Sequence, residues 1–214
     1  MKKFVNNLSP APDKDIDGMY AELLAMVDAV ENDGLKNLLN AFFRDVQFAE
    51  AFKHSPGAMH HAWVGGLLEH SLAVARTAKC SASNFNVDMD IMVAGALLHD
   101  IGKLRELEVS TCIELTEEGL LLGHVTLGCE MVRQMAAKTG LDARTTLRLS
   151  HVLISHHGKC EYGSPKRPML LEALLVSFAD ETDSKASHFE RIKRKACPED
   201  VTVYDEHLGE IFLK

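Results

Sequence analysis

Ile91-Met92-Val93-Ala94-Gly95-Ala96-Leu97-Leu98-His99-Asp100 carries an unbroken apolar run straight into a histidine and an aspartate. A run this apolar predicts a helix buried on nearly every side. An ionised carboxylate at the end of such a helix costs several kcal/mol, roughly the effective desolvation penalty per ion, unless a cation compensates it. A divalent metal is the economical compensation. A lone His-Asp pair is better explained as a helix cap with the imidazole on a backbone carbonyl, so its companions decide the matter.

Those companions sit on other apolar segments. His70 shares a helix face with Gly66, Leu67 and Val74, and Asp180 ends Leu174-Leu175-Val176-Ser177-Phe178-Ala179, repeating the same electrostatic problem. Two buried aspartates and two buried histidines call for a shared cation. His124 after Gly123 and the pair His156-His157 form a second group, and Asp100 can bridge the two. Histidine and carboxylate ligands together suit Mn, Fe, Co, Ni or Zn, as one or two ions, better than the all-oxygen shells of Ca and Mg.

Outward from this stretch the chain reads as all-α. Asp15 or Asp17 caps a helix through Val30, and a second amphipathic helix is predicted from about Leu35 to Lys53. Further helical segments span about 60–80, 89–101, 124–139, 142–157 and 169–190, with Gly140 and Gly158 at C-terminal cap positions. One interruption alternates like a strand, so a small β-hairpin is predicted near 107–122, turning at Thr116-Glu117-Glu118-Gly119. Residues 1–14 read as an extended N-terminal arm, 15–195 as one domain, and 196–214 as a C-terminal tail with no assigned element.

Composition bounds the function. A chain of 214 residues with 46% hydrophobic content buries one sizeable core. No apolar stretch approaches the ~20 residues of a membrane span, and the start lacks a signal-peptide core, so a cytoplasmic protein is expected. The cysteines Cys80, Cys112, Cys129, Cys160 and Cys197 form no C-x-x-C pair and read as reduced thiols. A net charge of −8 gives no general attraction to nucleic acid or to anionic membranes. A polyanionic substrate then needs metal ions and a few placed cations.

The order His70, His99-Asp100, Asp180 resembles the H…HD…D signature of the HD-domain metal-dependent phosphohydrolase superfamily, and Leu97-Leu98-His99-Asp100-Ile101-Gly102-Lys103 is similar to its characteristic run. The likeness continues through His60-His61-Ala62-Trp63-Val64-Gly65-Gly66-Leu67-Leu68-Glu69-His70-Ser71, Leu121-Leu122-Gly123-His124, Ser155-His156-His157-Gly158-Lys159 and Glu161-Tyr162-Gly163-Ser164-Pro165. Together these stretches look like the HD part of YhaM-type 3′-5′ exoribonucleases. Those enzymes place an OB-type nucleic-acid-binding domain before the HD part. A chain of this length is expected to lack it, and either a homo-oligomer or a partner protein that supplies the nucleic-acid-binding platform is expected. The G-Y-P signature of the related cyclic-dinucleotide-cleaving branch is absent after His157.

The resemblance implies an HD-domain helical bundle. One metal is expected on His70, His99, Asp100 and Asp180, and a second on Asp100, His124 and His156 with a share from His157. A metal-activated water then hydrolyses a phosphoester. Lys103, three residues after Asp100, is expected to contact a phosphate oxygen, making Asp100 and Lys103 the catalytic pair. Lys159, Tyr162, Ser164, Lys166 and Arg167, on the loop after the histidine pair, are expected to form the substrate lip for a nucleotide or short single-stranded nucleic acid. Two rivals are a nucleotide-binding signalling module without turnover and a di-iron oxygenase on the same fold. Metal-dependent release of phosphate or nucleoside monophosphate separates the hydrolase from both.

Overall fold

Asp15, Asn32, Asp45, Asp88, Thr116 and Asp142 each turn a side-chain oxygen onto a backbone N–H of a first helical turn, and these six caps set most of the helix starts. The computed structural model describes residues 3–7, 14–57, 62–110 and 112–214, the first stretch as backbone alone. Its helices are α1 (Ile16–Asp28), α2 (Asp33–Phe43), α3 (Val46–His54), α4 (Gly66–Ala82), α5 (Met89–Leu98), the short α6 (Lys103–Glu106), α7 (Glu117–Thr139), α8 (Ala143–Ser155) and α9 (Leu171–Lys195). His60 and His61 lie outside the described residues.

Helix α5 is the axis of the bundle. Every residue from Ile91 to Leu98 is buried, as the apolar run predicts, and α4, α8 and α9 pack around it. At Gly95 an added Cβ would lie 2.5 Å from Val152 Cγ1, so the missing side chain is what lets α5 and α8 approach. Leu67, Leu68, Leu72, Leu97, Leu149, Leu153 and Val176 join one continuous core. No helix among the described residues is long and apolar enough to cross a membrane.

Three expectations change. The single helix predicted over about 35–53 is two, because Asp45 leaves the helical conformation and its carboxylate accepts from Phe48 N at 2.9 Å, starting α3. The hairpin is shorter than predicted: β2 (Leu107–Val109) pairs antiparallel with β3 (Cys112–Leu115), register Leu107 to Leu115. Thr116 does not turn a hairpin. Its Oγ1 accepts from Gly119 N at 2.9 Å, and with Glu117 and Glu118 in the first turn this is a helix start. Leu120, Leu121 and Leu122 are therefore exposed on α7 rather than alternating in a strand.

The ends of the chain also carry strands. Lys3–Asn7 forms β1, antiparallel to β3, giving a sheet of order β1-β3-β2. In the tail, β4 (Thr202–Asp205) pairs with β5 (Gly209–Phe212). Asp205 accepts from His207 N and Leu208 N, and Gly209 closes the turn at φ +76°. This second hairpin is fastened to α9 by His188 Nε2 on Asp205 Oδ2 at 2.9 Å.

Candidate metal centre

Two helices end in the same device. After Leu98 the chain tightens into i to i+3 bonds, Ile101 N to Leu98 O and Lys103 N to Asp100 O, which turns His99 and Asp100 inward at 0% and 2% exposure. His99 Nδ1 donates to Ala96 O at 2.8 Å, and at the end of α8 His156 Nδ1 donates to Leu153 O at 2.6 Å. With the proton on Nδ1, each ring directs its Nε2 lone pair into the protein.

Those lone pairs meet around Asp100. On one side lie His70 from α4, His99 and Asp180 from α9: His70 Nε2 is 3.1 Å from His99 Nε2 and 3.2 Å from Asp180 Oδ1. Asp100 Oδ2 stands 3.4 Å from both imidazole nitrogens. On the other side Asp100 Oδ1 stands 3.4 Å from His124 Nε2 and 3.7 Å from His156 Nε2, while His124 Nε2 and His157 Nε2 are 3.3 Å apart. The donors of His70, His99 and Asp180, and those of His124, His156 and His157, each lie within 4.8 Å of one another. All seven residues expected at the metal are thus brought together, with Asp100 between the two groups.

The electrostatics are those of a cation site. Burial works to raise the Asp100 carboxyl, but the Lys103 ammonium and the surrounding histidines outweigh it and hold Asp100 well below the usual carboxylate range. Asp180 is likewise held low, against burial, by its bond to His70. Burial disfavours charge on His70, yet Asp100, Asp180 and Asp183 together hold its proton well above the ordinary range. His156 goes the other way: burial, then the neighbouring His157 and His99, push it well below the usual imidazole value. Asp100 Oδ1, His156 Nε2 and His157 Nδ1 are buried without a hydrogen-bond partner. Orphaned atoms of this kind cost about 1–3 kcal/mol each. Of these, Asp100 Oδ1 and His156 Nε2 face each other at 3.7 Å, and an anionic oxygen beside an imidazole nitrogen with no proton between them fits a divalent metal ion.

Two carboxylates that sequence reading did not single out orient these ligands. Asp183 Oδ2 accepts from His70 Nδ1 at 2.7 Å, and Glu106 Oε1 accepts from both His124 Nδ1 at 3.0 Å and His124 N at 2.9 Å. Asp183 follows Asp180 by three residues on α9, a spacing that shares a helix face. Glu106 follows no comparable pattern. Gly123, at φ +71°, kinks α7 immediately before His124, and Gly102 lets the turn after Asp100 press against His124 and Gly128 with no Cβ between them. Lys103 Nζ bonds Asp100 Oδ2.

A cavity of about 220 Å³ opens onto His156, His157 and Asp180, with Tyr162, Ser177, Glu181, Ser184 and Lys185 around its mouth. Of the five residues expected at the lip, Tyr162 alone is part of this lining. Lys159 holds its ammonium 5.3 Å from the Tyr162 ring centre. Ser164 is buried under the loop, and Lys166 and Arg167 are exposed along it. Lys185, paired with Glu181 at 2.6 Å, is the cation at the mouth that the sequence reading missed.

The HD domain family model matches residues 67–185, a span that holds every donor of both groups. The chain is 36% identical over 159 residues to the 3′-5′ exoribonuclease YhaM of Bacillus velezensis, covering 73% of this chain and 51% of that protein. It is 34% identical over 185 residues to the protein of the same name in Listeria innocua, covering 85% and 58%, and 31% identical over 201 residues to that of Shouchella clausii, covering 92% and 61%. The chain therefore spans about half the length of the curated relatives it matches. No solved structure matches it.

Proposed function

Because the chain belongs to the HD domain family, we propose that it is a metal-dependent phosphohydrolase that cleaves the phosphoester of a nucleotide or a short single-stranded oligonucleotide. RNA is the first substrate to test, given the exoribonuclease names of the relatives. The observation that carries this reading is Asp100, whose Oδ2 faces His70 and His99 and whose Oδ1 faces His124 and His156. His70, His99, Asp100 and Asp180 would hold one divalent ion, and Asp100, His124 and His156, with His157, a second. Bound there, such ions supply an acidified water as nucleophile and neutralise charge on phosphoryl oxygens.

The protein's own groups do the positioning. His99 and His156, anchored through Nδ1, cannot rotate away without breaking a buried hydrogen bond. Lys103 keeps an ammonium beside Asp100, although burial opposes its charge, and offers positive charge to a phosphate on the floor of the site. Tyr162 presents a ring at the mouth for a base or sugar, and Lys185 presents a cation for a neighbouring phosphate.

Metal analysis of the purified protein, followed by a manganese-supplemented screen over a model phosphodiester, short RNA and DNA, and nucleotides, tests the reading. Asp100→Ala should lose bound metal and at least about a thousandfold of activity. Unchanged metal content and turnover in that variant would overturn it.

A further inference from the structure

Ser177 is only 6% exposed, and it lines the cavity of about 220 Å³ at the metal centre. Elsewhere in the chain, helical hydroxyls return to the carbonyl four residues back, as those of Thr139, Ser150, Ser155 and Thr182 do. The Ser177 hydroxyl bonds no group among the described residues. Buried hydroxyls are otherwise satisfied, so one left open on a cavity calls for a partner from outside the chain.

Two observations join this hydroxyl to the metal centre. Gly158 directly follows His157, and a Cβ added to it would lie 2.6 Å from Ser177 Oγ. The hydroxyl therefore stands against the turn that carries the histidine pair, in room that the glycine leaves. On α9, Ser177 precedes Asp180 by three residues, on the same face and about 4.5 Å back along the axis at ~1.5 Å per residue. His156, His157, Asp180 and Ser177 thus share one cavity.

Charge narrows the ligand. The charged neighbour of Ser177 on this face is the Asp180 carboxylate, whereas Lys185, the cation of the cavity, lies eight residues further along α9, about 12 Å along the axis. A second phosphate is out of place beside Ser177, and a neutral hydroxyl-bearing group is in place there. In a nucleotide the group bonded to the phosphate is the pentose. Its hydroxyls both donate and accept, as a serine hydroxyl does.

We propose that Ser177 hydrogen-bonds the 2′-hydroxyl of the ribose whose phosphate lies at the metal centre, and so sets a preference for RNA over DNA. The proposal rests on the phosphohydrolase reading above. A deoxyribose leaves the buried serine unpaired, which is how a site built around a substrate hydroxyl rejects the analogue that lacks it.

The test measures kcat/KM of the manganese-loaded full chain on an eight-residue oligouridine and on its 2′-deoxy counterpart. Wild type should prefer the ribose strand, and in Ser177→Ala that preference should fall about tenfold, as for one neutral hydrogen bond to substrate. A third strand carrying 2′-fluorine, which keeps the ribose pucker but cannot donate, should rank with DNA in wild type; cleavage as fast as RNA would assign the preference to pucker and overturn the contact. A ribose preference equal in the two proteins, or absent in wild type, would also overturn it. So would weakened manganese binding by Ser177→Ala, which would make the serine a support of the centre instead. If wild type cleaves no strand, the phosphohydrolase reading falls, and fluorescence anisotropy of the same strands decides the contact: tighter ribose binding that Ser177→Ala removes upholds it, and equal binding overturns it.

Discussion

Glu106 is buried, with one carboxylate oxygen accepting two bonds from a single residue, His124. Burial raises its proton affinity, but the paired contacts with His124 win and keep it ionised. Glu106→Gln preserves size and removes the charge. It should weaken metal binding at the His124 group by about 10–100-fold while leaving the His70 group loaded, as read by manganese titration against wild type. Residues such as His99, Asp100 and Asp180 were legible because each interrupts an apolar run, where burial makes a charge conspicuous. Glu106 sits in Lys103-Leu104-Arg105-Glu106, where charge alternates with nothing to contrast against. Its role exists only once α6 meets the kink in α7.

Between elements, the closest approach at the centre is the turn holding Gly102 against α7. A Cβ there would overlap His124 O and stand 2.6 Å from Gly128 N. Gly102→Ala should destabilise the fold by about 1–3 kcal/mol and displace His124, lowering metal-dependent activity by more than the stability loss explains; thermal melting and manganese binding measure the two effects. Helix α1 is pinned separately, by the Tyr20 hydroxyl donating to Phe43 O of α2. Burial raises the Tyr20 phenol from 10.0 to about 12, so the folded state favours the neutral form. That stabilisation is intact below pH 10 and is lost as pH rises towards 12, amounting to about 3 kcal/mol at most. Tyr20→Phe should accordingly lose less stability than wild type between pH 10 and 12 in denaturant titrations. Helical spacing disclosed most of these elements, but boundaries depended on single polar residues. Asp45 splits one expected helix, and Thr116 converts an expected turn into a helix start, because a satisfied first-turn N–H outweighs local alternation of apolar residues. Pairing of β1 with β3 joins residues more than 100 positions apart, which no local pattern discloses.

Across the whole molecule, the centre draws on α4, the ends of α5 and α8, α7 and α9, spanning positions 70 to 180. An unfolded chain scatters these groups, so divalent ions bind the folded state in preference. At an ion concentration about a hundredfold above Kd the gain is about 2.7 kcal/mol, and at about 2–4 °C per kcal/mol for a protein of this size Tm should rise by about 5–10 °C. Asp100→Ala should abolish the rise in differential scanning fluorimetry. The geometry around that aspartate also has a genetic meaning. Loss of His70 or His124 damages one half of the centre and leaves the other a complete neighbour, so such lesions grade the phenotype. Asp100 offers no such partial loss. With one oxygen given to each half, it is a single point of failure, and substitutions there should behave as nulls whichever half a given substrate depends on.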